Sequence, residues 1–423
     1  VRDGGRLSAA IEVFQAVTEG GRPVRLALKA WGERSRFAGA GDRAFVSGLV
    51  LDALRRRRSL GFRMGEDSAR AVTLGALGLV WGWDVARIAA AAGDQPHGPG
   101  ALTETETAAL ANPRDVSEAS APIQGDYADW MDDALARVFG DGRTAEGAAL
   151  ARRAPVDIRV NSLRSDAART LKALAPFNAH PAGFLETALR VDPPEASARA
   201  PAVETAPEFE KGWFEIQDLG SQIAAACAGE IEGKQVLDYC AGGGGKTLAL
   251  AAAMSNRGQI FAYDSDARRL TDTVRRARRA EVRNLQIRSP IHPEPLKGLE
   301  GAMDLVFADA PCTGSGTWRR HPDAKWRLTP DQMARRMAEQ DQVLSGGAMY
   351  VRPGGRLIYV TCSLFAEENE DRITAFLAAR DDFAVEPVTP PGDLPVTADG
   401  FLRLTPSSAG TDGFFVAVLR RAG

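Results

Sequence analysis

The stretch Val236-Leu237-Asp238-Tyr239-Cys240-Ala241-Gly242-Gly243-Gly244-Gly245-Lys246-Thr247 decides the fold. An apolar run of strand length breaks into four glycines and then into a helical pattern over Lys246–Met254. Glycine lets the backbone turn tightly and approach a ligand without a Cβ in the way, and a helix N-terminus behind the turn favours a carboxylate or phosphate. Taken alone, the loop fits NAD, a nucleoside triphosphate or S-adenosylmethionine. The Walker pattern G-x-x-x-x-G-K-[ST] is not met, because Cys240 stands where its first glycine belongs.

Working outward, strand patterns recur at Gln235–Tyr239, Gln259–Tyr263, Leu285–Ile287, Leu305–Ala308, Arg356–Val360 and Phe414–Leu419. Helical patterns fill Lys246–Met254, Ala267–Ala280 and Pro330–Tyr350. Strand and helix in alternation predict an α/β, doubly wound, mostly parallel sheet whose ligands sit at the carboxyl ends of the strands. Asp264, about 20 residues past the glycine loop, suits a ribose diol, and Asp266 suits a helix cap. Upstream, Leu7–Gly93 is helical, and Gly93–Pro122 reads as a linker. Helices at Tyr127–Phe139 and Ala167–Leu174, a strand at Val156–Val160 and a Pro/Ala-rich connector at Pro193–Pro207 predict a small α+β module. The 423 residues thus divide into 1–122, 123–207 and 208–423.

The ends of two further strands carry cysteines. Leu305–Ala308 runs into Asp309-Ala310-Pro311-Cys312, and Arg356–Val360 into Thr361-Cys362-Ser363. One buried cysteine is usually a small hydrophobe. Two at equivalent strand ends, beside Asp309 and a ligand loop, point to nucleophilic chemistry. Cys240 could be packing, and Cys227 is expected in the core. Four scattered cysteines exclude a disulfide framework and a zinc ribbon, and no metal site is expected. No signal-peptide core follows Val1, and no run approaches the ~18 apolar residues of a membrane span, so a cytoplasmic, membrane-free monomer is expected.

The ordered set Asp238–Thr247, Asp309–Gly316 and Thr361–Ser363 resembles the RsmB-like, Sun/Fmu-type RNA cytosine carbon-5 methyltransferases. Trp213–Asp218 resembles the lead-in to their catalytic domain, Pro155–Asn161 their middle segment, and the helical N-terminus with Asp42–Val46 their NusB-like RNA-binding domain. The resemblance implies a Rossmann-like methyltransferase domain after an all-α NusB-like domain, S-adenosylmethionine as cofactor and ribosomal RNA as substrate. It assigns the attacking thiolate to Cys362, assistance in product release to Cys312, cytosine recognition to Asp309 and support of the site to Lys246. Cofactor contacts would come from Cys240, Ala241, Gly242, Gly243, Gly244, Lys246, Asp264 and Asp309. The target base must be single-stranded or flipped out of a helix. Three positions depart from the family pattern. Gly242-Gly243 replaces an Ala-Pro pair, Ala366 replaces a proline, and Arg288–His292 lacks an acid near the adenine, with Ser289 the nearest polar substitute. Rival readings are a transfer RNA substrate, a non-catalytic assembly factor, and DNA methylation, which Cys362 disfavours.

The net charge of −3 conceals local excess. Eight arginines face three acids between Asp266 and Arg288, a surplus read chiefly as a solvated helix face. A second cluster, with Arg319, Arg320, Lys325, Arg327, Arg335 and Arg336 around Trp318 and Trp326, is expected to contact RNA phosphates and bases. Arg55–Arg58 divides evenly between a solvated helix end and a phosphate contact.

Overall fold

The computed structural model describes residues 1–198 and 201–423; Arg199 and Ala200 of the expected connector lie outside the described residues. Two compact units emerge. One is Val1–Ala154 with the segments Pro193–Ala200 and Thr317–Leu328; the other is Pro155–Asp192, Pro201–Gly316 and Thr329–Gly423.

In the second unit, β1 (Val156–Val160), β2 (His180–Pro181), β3 (Ala188–Val191) and β4 (Phe214–Ile216) form a small antiparallel sheet in the order β2-β3-β1-β4. The main sheet contains β5 (Gln235–Asp238), β6 (Gln259–Tyr263), β7 (Leu285–Arg288), β8 (Met303–Asp309), β9 (Val351–Thr361), β10 (Phe383–Glu386), β11 (Leu402–Leu404) and β12 (Phe414–Arg421). Its order is β10-β12-β9-β8-β5-β6-β7, with β11 also on β12; β5 to β9 run parallel and β12 antiparallel to β9. This is the Rossmann-like, doubly wound sheet expected. The unexpected β10 and β11 are short edge strands of three or four residues, too brief to show a period.

Strand periodicity builds the two cores. Val236, Leu305, Phe307, Ile358 and Val360 enter one, against Ile223 and Leu250 of the helices Leu219–Ala226 and Gly245–Ala253. Leu237, Val306, Ala308, Leu357 and Tyr359 enter the other, against Leu344 and Phe376 of the helices Pro330–Ala348 and Glu370–Ala379. Burial of each large apolar side chain contributes ~1.5–3 kcal/mol, so a one-residue slip of any strand would forfeit both cores. From β5 the chain steps outward through β6 and β7, then returns to the other side of β5 as β8. A ligand crevice belongs at that reversal.

The first unit is helical, as expected, with Phe14, Leu49, Leu54 and Val72 at its centre. Within the stretch read as a linker, Glu104–Ala111 is a helix. Thr103 Oγ1 accepts from the Glu106 backbone N–H, the Glu106 carboxylate accepts from the Thr103 N–H, and Arg70 Nε adds a bond of 2.6 Å. The Thr and Glu residues there form a helix cap, not a loop. The helices of 121–150, which the sequence reading places in the middle module, lie in this unit.

The basic clusters need correction. Arg55 is buried, bonding Asp52 Oδ1 at 2.7 Å and the Arg319 carbonyl at 2.8 Å; Arg58 bonds Asp129 at 2.6 Å and Arg56 reaches the Ala151 carbonyl. Burial removes Arg55 from both expected roles, while Arg56, Arg57 and Arg58 remain half-exposed. In Thr317–Leu328, Arg319 is 4% and Lys325 1% exposed. Lys325 Nζ donates to the Arg55 carbonyl at 3.1 Å, Trp326 Nε1 to the Leu54 carbonyl at 2.6 Å, and Arg320 is only partly exposed. Lys325 and Trp326 hold the helical unit together, and the expected RNA contact does not fit the burial of Arg319 and Lys325; Trp326 is half-buried.

Burial pushes the Lys325 ammonium down to about 8, while Asp126 opposes the shift. An unfolded lysine titrates near ~10.4, so the folded chain binds fewer protons between the two values, and stability rises with pH across that window. Lys325→Met should abolish the rise. Urea unfolding of both proteins at pH 7 and pH 10 should show the wild type gaining on the variant; parallel behaviour would refute a buried ammonium.

Candidate active site

Past β5 the chain turns through Gly242 and Gly244, both left-handed at φ +53° and +82°. A Cβ on Gly244 would lie 2.8 Å from Thr273 Cγ2. The helix Ala267–Arg279 pins this loop from behind. Thr273 Oγ1 donates to the Gly242 carbonyl at 3.0 Å and Arg276 Nη1 to the Gly243 carbonyl at 2.5 Å. Buried Glu215 in turn takes Arg276 at 2.9 Å and Arg279 at 2.5 Å. Of the arginines read as a solvated face, Arg276 thus braces the glycine loop and Arg279 is tied to Glu215, while Arg268, Arg269, Arg275 and Arg278 are exposed. At the end of β6, Asp264 Oδ2 accepts the Gly242 N–H at 2.9 Å and Oδ1 the Asp266 N–H at 2.8 Å, leaving lone pairs on both oxygens. Asp266 caps its helix, as expected. These bonds order a loop that its two extra glycines would otherwise loosen.

A cavity of about 750 Å³ opens in front of the loop. The structure brings Cys240–Gly243, Lys246, Asp264, Asp309, Cys312 and Cys362 to its wall. Gly244 turns the chain behind it. Tyr239 and Tyr263 also line it, their rings 5.5 Å apart, as do Arg336, Glu339, Gln342 and Val343 from the helix Pro330–Ala348. Of these helical residues the sequence reading named Arg336, as an RNA contact, and missed Glu339, Gln342 and Val343. The i, i+3 and i+6 spacing of Arg336, Glu339 and Gln342 signals one helix face, but not which ligand that face meets. Ser289 is not on the wall. Among the described residues no group of three or more His, Cys, Asp or Glu could hold a metal ion.

Lys246 Nζ meets Asp309 Oδ2 at 2.7 Å. Burial opposes the Lys246 charge, but the Asp309 carboxylate outweighs it and holds the ammonium above its ordinary value. Fully buried Asp238 accepts from Thr247 Oγ1 at 2.6 Å, and burial pushes its carboxyl up to about 7. Cys312 Sγ and Cys362 Sγ stand 3.4 Å apart at the ends of neighbouring strands β8 and β9. The Cys312 thiol is pushed far up by its bond to Cys362, by burial and by the negative charge of Glu368. Burial and surrounding acids push Cys240 up as well, and Cys227 is a core residue whose thiol burial raises to about 12.

A family model described as 16S rRNA methyltransferase RsmB/F matches residues 228–420. Ribosomal RNA small subunit methyltransferase B of Thermus thermophilus is 31% identical, over 100% of this chain and 99% of its own length. The probable enzyme of that name from Synechocystis is 30% identical over 71% of this chain and 68% of its own. A methyltransferase homolog protein from Pyrococcus horikoshii, of known structure, covers 73% of this chain and 100% of its own at a TM-score of 0.60 and 28% identity. The fold and the strand-end site define a Rossmann-like methyltransferase. The chain belongs to the 16S rRNA methyltransferase RsmB/F family. No helix among the described residues is long and apolar enough to cross a membrane.

Gly244→Ala should lower the unfolding free energy by about 1–3 kcal/mol through backbone strain and collision with Thr273. Gly298→Ala, at φ +83° with nothing within 4 Å of its Cβ, isolates the strain. Urea titrations that found equal losses for the two variants would remove the collision with Thr273 from the account.

Proposed function

We propose that this enzyme transfers a methyl group from S-adenosylmethionine to carbon 5 of a cytosine in small-subunit ribosomal RNA. The reading is carried by the two thiols 3.4 Å apart at adjacent strand ends, beside the Lys246–Asp309 pair and the glycine-lined cavity. The wall fits the cofactor. A Cβ on Gly242 would meet nothing closer than 3.9 Å, so that side of the loop is open to a ligand. Asp264 keeps lone pairs for ribose hydroxyls, and the N-terminus of the helix Gly245–Ala253 suits the methionyl carboxylate. Cys240, Ala241, Gly243 and Gly244 would shape this cradle. When bound, the cofactor supplies an electrophilic methyl on a sulfonium.

Cytosine carbon 5 is a weak nucleophile until the ring is activated. The Cys362 thiolate adds to carbon 6, the carbon–sulfur bond forms, and the displaced π pair makes carbon 5 an enamine carbon. Asp309, held by Lys246, hydrogen-bonds the ring and steadies the charge that builds there. Once carbon 5 carries the methyl group, its proton must leave and the carbon 6–sulfur bond must break. Cys312 lies within reach of Cys362 to assist that release. As a thiolate, Cys312 takes the carbon 5 proton; the electron pair of that bond restores the 5,6 double bond, and Cys362 leaves as its thiolate. Exposed Arg335 and Arg336, the latter on the cavity wall, take over the phosphate contacts that the buried Arg319 and Lys325 are not free to make.

Cys312→Ala should accumulate a covalent protein–RNA adduct, visible as a shifted band under denaturing conditions. Cys362→Ala should form none and lose about 10³-fold or more in turnover. An adduct formed by Cys362→Ala instead would reverse the two roles. Bisulfite sequencing of RNA from cells lacking the protein should show one 5-methylcytosine lost from small-subunit ribosomal RNA.

A further inference from the structure

Past the ends of β8 and β9 no ladder sets the separation of the loops that carry Cys312 and Cys362. The Gly316 N–H to Cys362 carbonyl bond, 2.9 Å, ties them on one side. On that side Ser315 Oγ also meets Ser363 Oγ at 3.2 Å and accepts the Leu364 N–H at 2.8 Å. A further tie, the one that reaches the residue after each cysteine, is Glu368, fully buried one short turn beyond Cys362. Its Oε1 accepts from the Thr313 backbone N–H at 2.8 Å and from Gln340 Nε2 at 2.9 Å. Its Oε2 accepts from Thr313 Oγ1 at 2.5 Å and from Ser363 Oγ. A carboxylate has about four acceptor sites, and here all four are filled. Thr313 follows Cys312 and Ser363 follows Cys362, so one side chain grips the residue next to each thiol. Gln340 extends the grip to the Pro311 carbonyl at 2.9 Å, on the other side of Cys312. Neighbouring Asn369 fixes the second loop alone, through Thr361 Oγ1 at 2.6 Å and the Ser363 carbonyl at 3.0 Å.

We propose that Glu368 is a positioning residue that sets the spacing between the Cys312 and Cys362 sulfurs. The assignment deepens the methyl-transfer reading and rests on it for its catalytic meaning. Attack needs Cys362 alone, whereas release needs Cys312 in register with the adduct. Loss of the grip therefore slows release more than attack. Gln fits the same fork. Its amide oxygen can face the two fixed N–H donors, while its NH2 faces two hydroxyls that rotate to accept.

Phenylarsine oxide reads the spacing without RNA. Arsenic loses its oxygen, forms bonds to two sulfurs, and the two thiol protons leave with that oxygen as water. Bridging of the wild type should need both thiols, so Cys312→Ala and Cys362→Ala set the baseline. Glu368→Ala should weaken bridging about tenfold or more, because four buried donors lose their acceptor. Glu368→Gln should stay near wild type, and Thr313→Val, which removes one bond of the four, should fall between and remains informative if Glu368→Ala does not fold. With RNA, Glu368→Ala should accumulate the covalent adduct while KM stays near wild type, and Glu368→Gln should restore turnover. Wild-type bridging in both Glu368→Ala and Thr313→Val, or a Gln variant as defective as Ala, overturns the proposal. Normal bridging in the wild type with no RNA adduct in any variant would count against methyl transfer and leave the spacing role standing.

Discussion

Between β5 and β8 the strand order reverses, and one ion pair crosses that seam, Lys246 Nζ to Asp309 Oδ2. Lys246 belongs to the first turn of the helix behind the glycine loop; Asp309 is the last residue of β8. An ammonium buried this deeply needs a partner, because an unpaired charge in the interior costs more than most single contacts supply. The pair therefore fixes where the glycine loop ends and where the Cys312 loop begins. Asp238, one strand over, is held by Thr247 from the same helix turn. The ligand loop, the acid and the first thiol are thereby set in one frame, and the second thiol is added from β9.

The main sheet was legible because both of its faces are apolar. Val236, Leu237, Val306, Phe307, Leu357 and Ile358 form short runs bounded by turn signals, and the chemistry at the carboxyl ends follows from topology. Cys312, Cys362, Asp309 and Asp264 could be picked out because each stands at or just after a strand end, and Lys246 through the resemblance of the glycine loop that precedes it. Glu368 and Gln340 could not. They act from buried positions on a short turn and a helix, and nothing in a run of glutamates tells which one turns inward.

Charge misled for a related reason. Arg55, Lys325 and Arg276 look in sequence like the surface arginines around them, but each finds a backbone carbonyl or a carboxylate inside its own unit. Long cationic side chains can bury their stems and satisfy their heads locally, so a basic run measures donors and not exposure. Glu215 shows the counterpart, since one buried acid on β4 takes two arginines of a charged helix out of solvent and aims one of them, Arg276, at the glycine loop.

The helical unit is threaded three times by the chain, at Val1–Ala154, at Pro193–Ala200 and at Thr317–Leu328. The last pass interrupts the sheet unit between β8 and β9, and its Trp326 and Lys325 find their cover on N-terminal helices. The two units are thus compact without being modular. A fragment cut at the expected boundary near residue 208 would carry Lys325 and Trp326 stripped of Leu54, Arg55 and Asp126. A catalytic domain of this chain cannot be exchanged or grafted as a cassette unless that excursion is replaced along with the helices it needs.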